Sequence, residues 1–513
     1  MTVTQTAEIR NPYLEDFLAP VAAEVTATDL QVTGRIPEHL DGRYLRNGPN
    51  PAAEVNPATY HWFSGDGMVH GVSLQDGQAR WYRNRWVRSA TVAAKLGEPA
   101  PARLDPRAGM LALGANTSVV AHAGRTLALV EGGVANYELT EELDTIGTCD
   151  FDGTLYGGYT AHPHRDPHTG ELHAVSYSFA RGRTVQYSVI DTQGRARRTV
   201  DIKVSGSPMM HDFSLTDKYV VIYDLPVTFD PGQVLPVKIP RWMSVPAQLV
   251  MQSLVGRVRV PSPIAARLNS NPKPTDRMPY AWNPSYPARI GVMPREGSNR
   301  DVRWFDIEPC YVYHPLNAYS ETRNGSEVLV LDVVSYARMF DRDRRGPGDT
   351  QPMLERWTIN LATGAVSTER RDDRPQEFPR INETLTGARH RFGYAVGVDD
   401  GYLAQQEGTP MVTALYKHDY VTGSSEIAPL DPELVIGEMS FVPNPAVGAA
   451  GPAEGSAEDP AEDDGVLMGY GYHRGRDEGQ LLLLDAQTLE SVATVHLPQR
   501  VPMGFHGNWA PAG

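Results

Sequence analysis

Short apolar runs divided by tight-turn signals recur along all 513 residues, and no other feature constrains the fold as strongly. Thr126–Val130, Lys218–Tyr223, Glu327–Asp332, Val466–Tyr470 and Gln480–Leu484 are too short for stable helices, and each is bounded by Gly, Asp, Asn or Pro. Five turn segments follow such runs: Asp166-Pro-His-Thr-Gly170, Asp191-Thr-Gln-Gly194, Asn360-Leu-Ala-Thr-Gly364, Asp419-Tyr-Val-Thr-Gly423 and Asp485-Ala-Gln-Thr488. An Asx side chain bonds its own backbone and Gly accepts positive φ, so these segments predict hairpin turns. Long amphipathic helical patterns are scarce. Hairpins spread from one end of a long chain to the other point to a β-propeller, whose four-stranded blades surround an axis. Unrelated hairpins in two β-sandwiches are the alternative, and the spacing is too irregular to count blades.

Two stretches break the pattern. Residues 225–286 include Trp242, Met243, Leu249, Val250, Met251, Leu254 and Val255 near Arg241, Arg257 and Arg259. The stretch reads as an apolar cap over the core or as an excursion facing a membrane or the mouth of an apolar tunnel. Residues 446–465 are low in complexity and acidic, and read as a mobile loop between strands. With these as insertions, residues 1–513 are expected to form one propeller domain, despite a length that would otherwise suggest several.

Charge and cysteine content narrow the function. The 62 acidic residues outnumber the 47 basic ones for a net charge of −15, which repels polyanions and argues against a nucleic-acid partner. Cys149 and Cys310 make neither a disulfide framework nor a zinc ribbon, which fits a reducing compartment. Met1–Leu18 has no apolar core of a signal peptide, and no run is long enough to span a bilayer. The expected location is the cytoplasm, with a peripheral membrane contact left open.

Fifteen histidines are present, and four stand apart by context. His162 lies in Gly158-Tyr-Thr-Ala-His-Pro163, His211 in Pro208-Met-Met-His-Asp-Phe213, His314 in Pro309-Cys-Tyr-Val-Tyr-His-Pro315, and His506 in Pro502-Met-Gly-Phe-His-Gly-Asn-Trp509. Each sits near a strand edge among small or aromatic residues and turn formers. A single histidine of this kind is more often structural than ligating. Four of them, too far apart for a local finger or helical pair, would meet only where remote strands converge, and a propeller axis is such a place.

These contexts, together with Arg43-Tyr-Leu-Arg-Asn-Gly-Pro-Asn-Pro51, His61-Trp-Phe-Ser-Gly-Asp-Gly-Met-Val-His70 and Glu377-Phe-Pro-Arg-Ile-Asn382, resemble the carotenoid cleavage oxygenase family from about Asn11 to Trp509. The resemblance implies a seven-bladed, all-β propeller with helical or loop excursions capping a non-haem Fe(II), held by His162, His211, His314 and His506. It further implies that Glu131, Glu377 and Glu438 orient His211, His314 and His506 respectively, leaving His162 without a carboxylate, and that Thr117 leans over one open coordination position. The expected reaction adds both atoms of dioxygen across a C=C bond and yields two carbonyl products. No dinucleotide fingerprint or haem-attachment pair suggests a separate electron donor.

Some members of that family cut carotenoids or apocarotenoids, and others cut stilbenes and related phenylpropenes. The latter typically carry a lysine just before the first of these glutamates, where this chain has Val130. Valine cannot hold a phenolate, so an apolar polyene is favoured over a phenolic alkene such as a hydroxystilbene or vinylphenol. Tyr60, Trp62, Phe63, Tyr313 and Phe505 are candidate walls of the substrate tunnel. Ser320 departs from the acidic residue that many relatives carry there.

Overall fold

The structure, a computed structural model, describes residues 10–111, 114–230, 278–342, 350–398, 413–444 and 461–512. All five apolar runs named above lie within or overlap strands. The five turn segments close in one way. The backbone N–H of Gly170, Gly194, Gly364 and Gly423 reaches back to the carbonyl of Asp166, Asp191, Asn360 and Asp419 at 2.8–2.9 Å, with φ between +72° and +78°. In the fifth, Leu489 takes the glycine's place at φ +62° and bonds Asp485 O at 2.8 Å. Each Asx side chain accepts the N–H two residues on, as Asp419 Oδ1 does from Val421 at 2.8 Å.

Among the described residues the strands form seven antiparallel sheets of four to six strands, plus a two-stranded ribbon, and the sheets are the blades of a β-propeller. Following the chain from Ser118, the innermost strands of successive blades are Ser118–His122, His164–Arg165, Ser214–Leu215, Tyr311–Arg323 and Gln376–Arg380. In the next blade Leu434–Ile436 and Ser440–Pro443 share the inner position, both pairing with Gly465–His473. The last blade is closed by the two ends of the chain. C-terminal Gly507–Pro511 is its inner strand and pairs antiparallel with Gly42–Pro49, registering Arg46 against Gly507 and Tyr44 against Trp509. Val32–Gly34 in turn extends the neighbouring blade by pairing with Ser491–His496. The C-terminal segment is therefore a bonded strand that completes the ring, and a closed ring leaves only short sheet edges.

Apolar side chains fill the space between adjacent blades. Leu127 and Leu129 pack with Leu172 and Ala174, Tyr44 and Val72 with Met468 and Leu481, and Val396 with Leu467 and Leu482. Because blades are covered on both faces, their middle strands are buried without alternation and largely apolar, the exception in Val328–Val334 being Asp332, paired with Arg356. Val328 to Val334 are all at most 3% exposed. Each fully buried Val or Leu of this kind contributes about 1.5–3 kcal/mol of transfer free energy, so the sandwiched strands supply most of the stabilisation.

Trp242 to Val255, the most apolar part of the expected excursion, fall outside the described residues. Its described ends, Val227–Phe229 and Tyr280–Trp282, pair as the ribbon. Residues 446–460 of the expected acidic loop also fall outside. Its last residues, 461–464, form a turn tied to the neighbouring strands, with Lys417 Nζ bonding Asp463 at 2.6 Å and the Phe392 N–H bonding Glu462 Oε1 at 2.7 Å, and Gly465 opens a strand. Ser320 donates its hydroxyl to Asp217. Cys149 and Cys310 are unpaired. No helix among the described residues is long and apolar enough to cross a membrane.

Candidate metal centre

Each blade contributes one side chain at the same rim of the axis, at or near the start of its inner strand. In blade order these are Thr117, His162, His211, His314, Glu377, Glu438 and His506, and Glu131 returns to that rim just after Arg125–Leu129. Local irregularities aim two of them. The pairing register of Tyr311–Arg323 shifts on either side of Pro315, beside His314, and that of Gln376–Arg380 shifts between Glu377 and Arg380. Phe378 sits there at φ +52°, a strained conformation for a bulky residue, and such bulges re-aim side chains at functional sites. At the C-terminal motif, a Cβ on Gly504 would overlap the Arg46 guanidinium, so the glycine lets that cation approach the backbone. His506 is then held by its own N–H to Thr117 O at 3.0 Å and by its carbonyl to the Asn47 N–H at 3.1 Å.

The four imidazoles offer ring nitrogens that all lie within 4.8 Å of one another. Ring centroids are 4.3 Å apart for His162 and His506, 4.4 Å for His162 and His211, and 4.8 Å for His314 and His506. Three rings are anchored from behind. His211 Nδ1 donates to Glu131 Oε1 at 2.9 Å, His314 Nδ1 to Glu377 Oε2 at 2.6 Å, and His506 Nδ1 to Glu438 Oε1 at 3.0 Å. Those bonds leave Nε2 as the lone-pair nitrogen facing inward. His162 has no such bond: its Nδ1 is 3.6 Å from Asp212 Oδ2, beyond hydrogen-bonding distance. Asp212 is instead engaged by His164 Nε2 at 2.8 Å and by the Phe213 N–H at 2.6 Å.

A cation fits this set. His211 Nε2 and His314 Nε2 are 3.1 Å apart, and with both Nδ1 protons committed to carboxylates, two lone pairs face each other with nothing to share but a positive charge. Metal–imidazole bonds of about 2.1 Å at a right angle place donor atoms about 3.0 Å apart. His162 Nε2 is buried with no hydrogen-bond partner among the described residues, a costly state that ligation would relieve.

The electrostatics favour a neutral ring at His162 and ionised carboxylates at Glu377 and Glu438, while burial opposes and Glu377 raises the pKa of His314. Burial first, and then the neighbouring imidazoles, hold His162 well below the usual imidazole range. Burial works against the Glu377 charge, but His314, the Phe378 N–H and the Tyr336 hydroxyl together lower its pKa. Burial likewise opposes the Glu438 charge, and Arg380 and His506 outweigh it strongly.

Thr117 is buried, its hydroxyl donating to Asn116 Oδ1 at 3.1 Å and its carbonyl receiving the His506 N–H. Of the aromatic residues named from the sequence, Trp62, Phe63 and Phe505 form one cluster, with centroids 4.5 Å apart for Trp62 and Phe505 and 5.5 Å for Phe63 and Phe505. Tyr313 packs edge-on to His211 at 4.8 Å. Tyr60 is buried in the same apolar cluster as Trp62. On the other side of the rings, a cavity of about 160 Å³ runs along the axis, lined among others by His162, His314, His506, Asp212, Arg380 and Glu383. Asp212, His164 and Arg380 were not assigned roles from the sequence. The partners that tie them to the centre, His164 with Asp212 and Arg380 with Glu438, lie 48 and 58 residues apart, and only nearness in the chain to His211, His162 and Glu377 hinted at them.

Residues 18–511 match the family model described as retinal pigment epithelial membrane protein, RPE65. A carotenoid cleavage oxygenase of Mycobacterium tuberculosis (strain H37Rv) is 74% identical over 512 residues, covering 100% of both chains. The chain belongs to the carotenoid cleavage oxygenase family. Members of this family depend on non-haem iron. Carotenoid 9,10(9',10')-cleavage dioxygenase 1 of Arabidopsis thaliana is 30% identical, over 96% of this chain and 89% of that one. Among solved structures, cobalt-substituted Synechocystis ACO superimposes with a TM-score of 0.73 at 26% identity, over 96% and 97% of the two chains. Pseudomonas brassicacearum lignostilbene dioxygenase does so with 0.75 at 24%, over 98% and 99%, which speaks to the fold.

Proposed function

We propose that this carotenoid cleavage oxygenase uses a single Fe(II), held by the Nε2 atoms of His162, His211, His314 and His506, to cleave one C=C bond of a carotenoid or apocarotenoid. One alkene and one dioxygen give two carbonyl products, so the electrons come from the substrate and no reductant is consumed. The observation that carries this reading is the meeting of four imidazoles, three of them braced by carboxylates, in a chain 74% identical to a carotenoid cleavage oxygenase.

Iron in this site supplies a place to bind and activate dioxygen beside the alkene. The protein's own residues do the rest. Glu131, Glu377 and Glu438 fix the tautomer and direction of three rings and restore negative charge that neutral ligands lack. Thr117 restricts one face of the centre, held in place by Asn116. Tyr60, Trp62, Phe63, Tyr313 and Phe505 form the apolar wall that positions the polyene and excludes water. The Val227–Phe229 and Tyr280–Trp282 ribbon stacks through Phe229 on Phe179 at 5.0 Å. The enzyme is cytoplasmic and draws its polyene from a membrane surface.

Val130 favours the polyene. It is buried immediately before Glu131, its N–H bonded to Asn136 Oδ1 at 2.6 Å, and it offers no cation to a phenolate. Parallel assays of a β-apocarotenal and a 4-hydroxystilbene under ¹⁸O₂ test this. Labelled aldehydes from the apocarotenal alone are expected. Turnover of the stilbene alone would reassign the substrate, and unlabelled products would remove the dioxygenase chemistry.

A further inference from the structure

The three carboxylates behind the rings are not equivalent. Glu131 accepts His211 through Oε1, and the Tyr177 hydroxyl lies beside the same carboxylate. Glu377 accepts His314 and the Phe378 N–H through Oε2, and the Tyr336 hydroxyl at 2.9 Å through Oε1. Glu438 alone meets a full positive charge. Its Oε1, the oxygen that holds His506, also receives Arg380 Nε at 2.9 Å, while Oε2 receives the Gly507 N–H at 2.9 Å.

Arg380 grips the same arm a second time. Its Nη2 donates to Gly507 O at 2.7 Å, the carbonyl directly after His506, and its Nη1 pairs with Glu383. Its side chain is only 16% exposed. A guanidinium that reaches a carboxylate, a backbone carbonyl and a second carboxylate at once uses the planar fork that lysine lacks. Sharing one oxygen between a cation and an imidazole N–H also weakens what that oxygen gives the ring.

We infer that Arg380 is a positioning residue of the metal centre, setting the direction and donor strength of His506 through the shared Glu438 oxygen and the Gly507 carbonyl. His506 is thereby the least polarised of the three carboxylate-backed ligands, and the one whose placement depends on a cation. The inference rests on the four-histidine reading of the centre.

Cobalt(II) titration of the full-length apo-protein, read by its d–d absorption, tests both levels separately. Wild type that takes up no cobalt would contradict the centre itself. Given a binding wild type, Arg380→Met is expected to lose affinity by about 10–100-fold, the usual cost of removing a group that orients a ligand, and to shift the absorption bands. Arg380→Lys keeps the charge without the fork and is expected to recover only part of the affinity. Should Arg380→Met fail to fold, the lysine variant decides by the same readings. Wild-type affinity and an unshifted spectrum in the folded variant would overturn the inference, even if its melting temperature fell.

Discussion

His506 and His162 stand side by side on the axis, 4.3 Å between centroids, and are held in opposite ways. His506 is braced by Glu438, which is in turn braced by Arg380 and the Gly507 N–H. His162 faces Asp212 across 3.6 Å without a bond, and is held through its backbone N–H to Thr160 Oγ1 at 3.2 Å and by contact with the other rings. The contrast shows two ways to pre-organise an imidazole. One fixes the tautomer by a hydrogen bond and carries charge to the ligand; the other uses packing alone and leaves the ligand neutral. A centre with four neutral ligands gains hydrogen-bonded carboxylates on three sides, and His162 occupies the side where the nearest carboxylate, Asp212, makes no bond to the ring.

Truncation of the rings themselves should have the largest effect and should erase the contrast. His314→Ala and His162→Ala are each expected to lose bound iron and to reduce turnover at least about 10³-fold, since a ligand is lost whatever stands behind it. Iron analysis beside product formation checks this; a fully active His162→Ala would make the unbraced ring dispensable. Treatment of wild type with a strong chelator should likewise abolish turnover, and added Fe(II) should restore it.

A smaller effect separates the two kinds of arm. Glu377→Gln is expected to weaken metal binding by about 10–100-fold, because the amide no longer takes the Nδ1 proton as a carboxylate does. Asp212→Asn should change it less than about threefold, since no hydrogen bond to His162 is lost. Equal losses in both would show that Asp212 braces His162 after all. Smaller again should be Val130→Lys, which sets a cation beside Glu131 much as Arg380 stands beside Glu438. Its expected outcome is retained metal with apocarotenal turnover reduced about tenfold, reflecting the cost of a buried charge beside an apolar substrate. Steady-state assays on metal-analysed protein measure it.

How much of this was legible in the chain follows from how local each feature is. The strands and Asx turns are short-range: Asp419 and Gly423 carry their hairpin within five residues, so composition and spacing reveal it. Blade number is not local. Connections vary from the tight Asp191–Gly194 turn to the long insertion between Val227–Phe229 and Tyr280–Trp282, and no period survives such variation. Closure is the least local feature, pairing Arg46 with Gly507 across nearly the whole chain. The same gradient applies at the axis. The four histidines were distinguishable by their flanking residues, but which of them meet was implied only by family resemblance. Arg380 stood within a recognised motif without a role, because its partners Glu438 and Gly507 lie 58 and 127 residues away.

Crystals of the iron-loaded protein, measured on both sides of the iron absorption edge, offer the most direct test of the central claim. The account predicts one anomalous peak per chain on the propeller axis, bonded to the Nε2 atoms of His162, His211, His314 and His506 and to no carboxylate. Iron bound elsewhere, or a peak with any of those four nitrogens turned away, would contradict it.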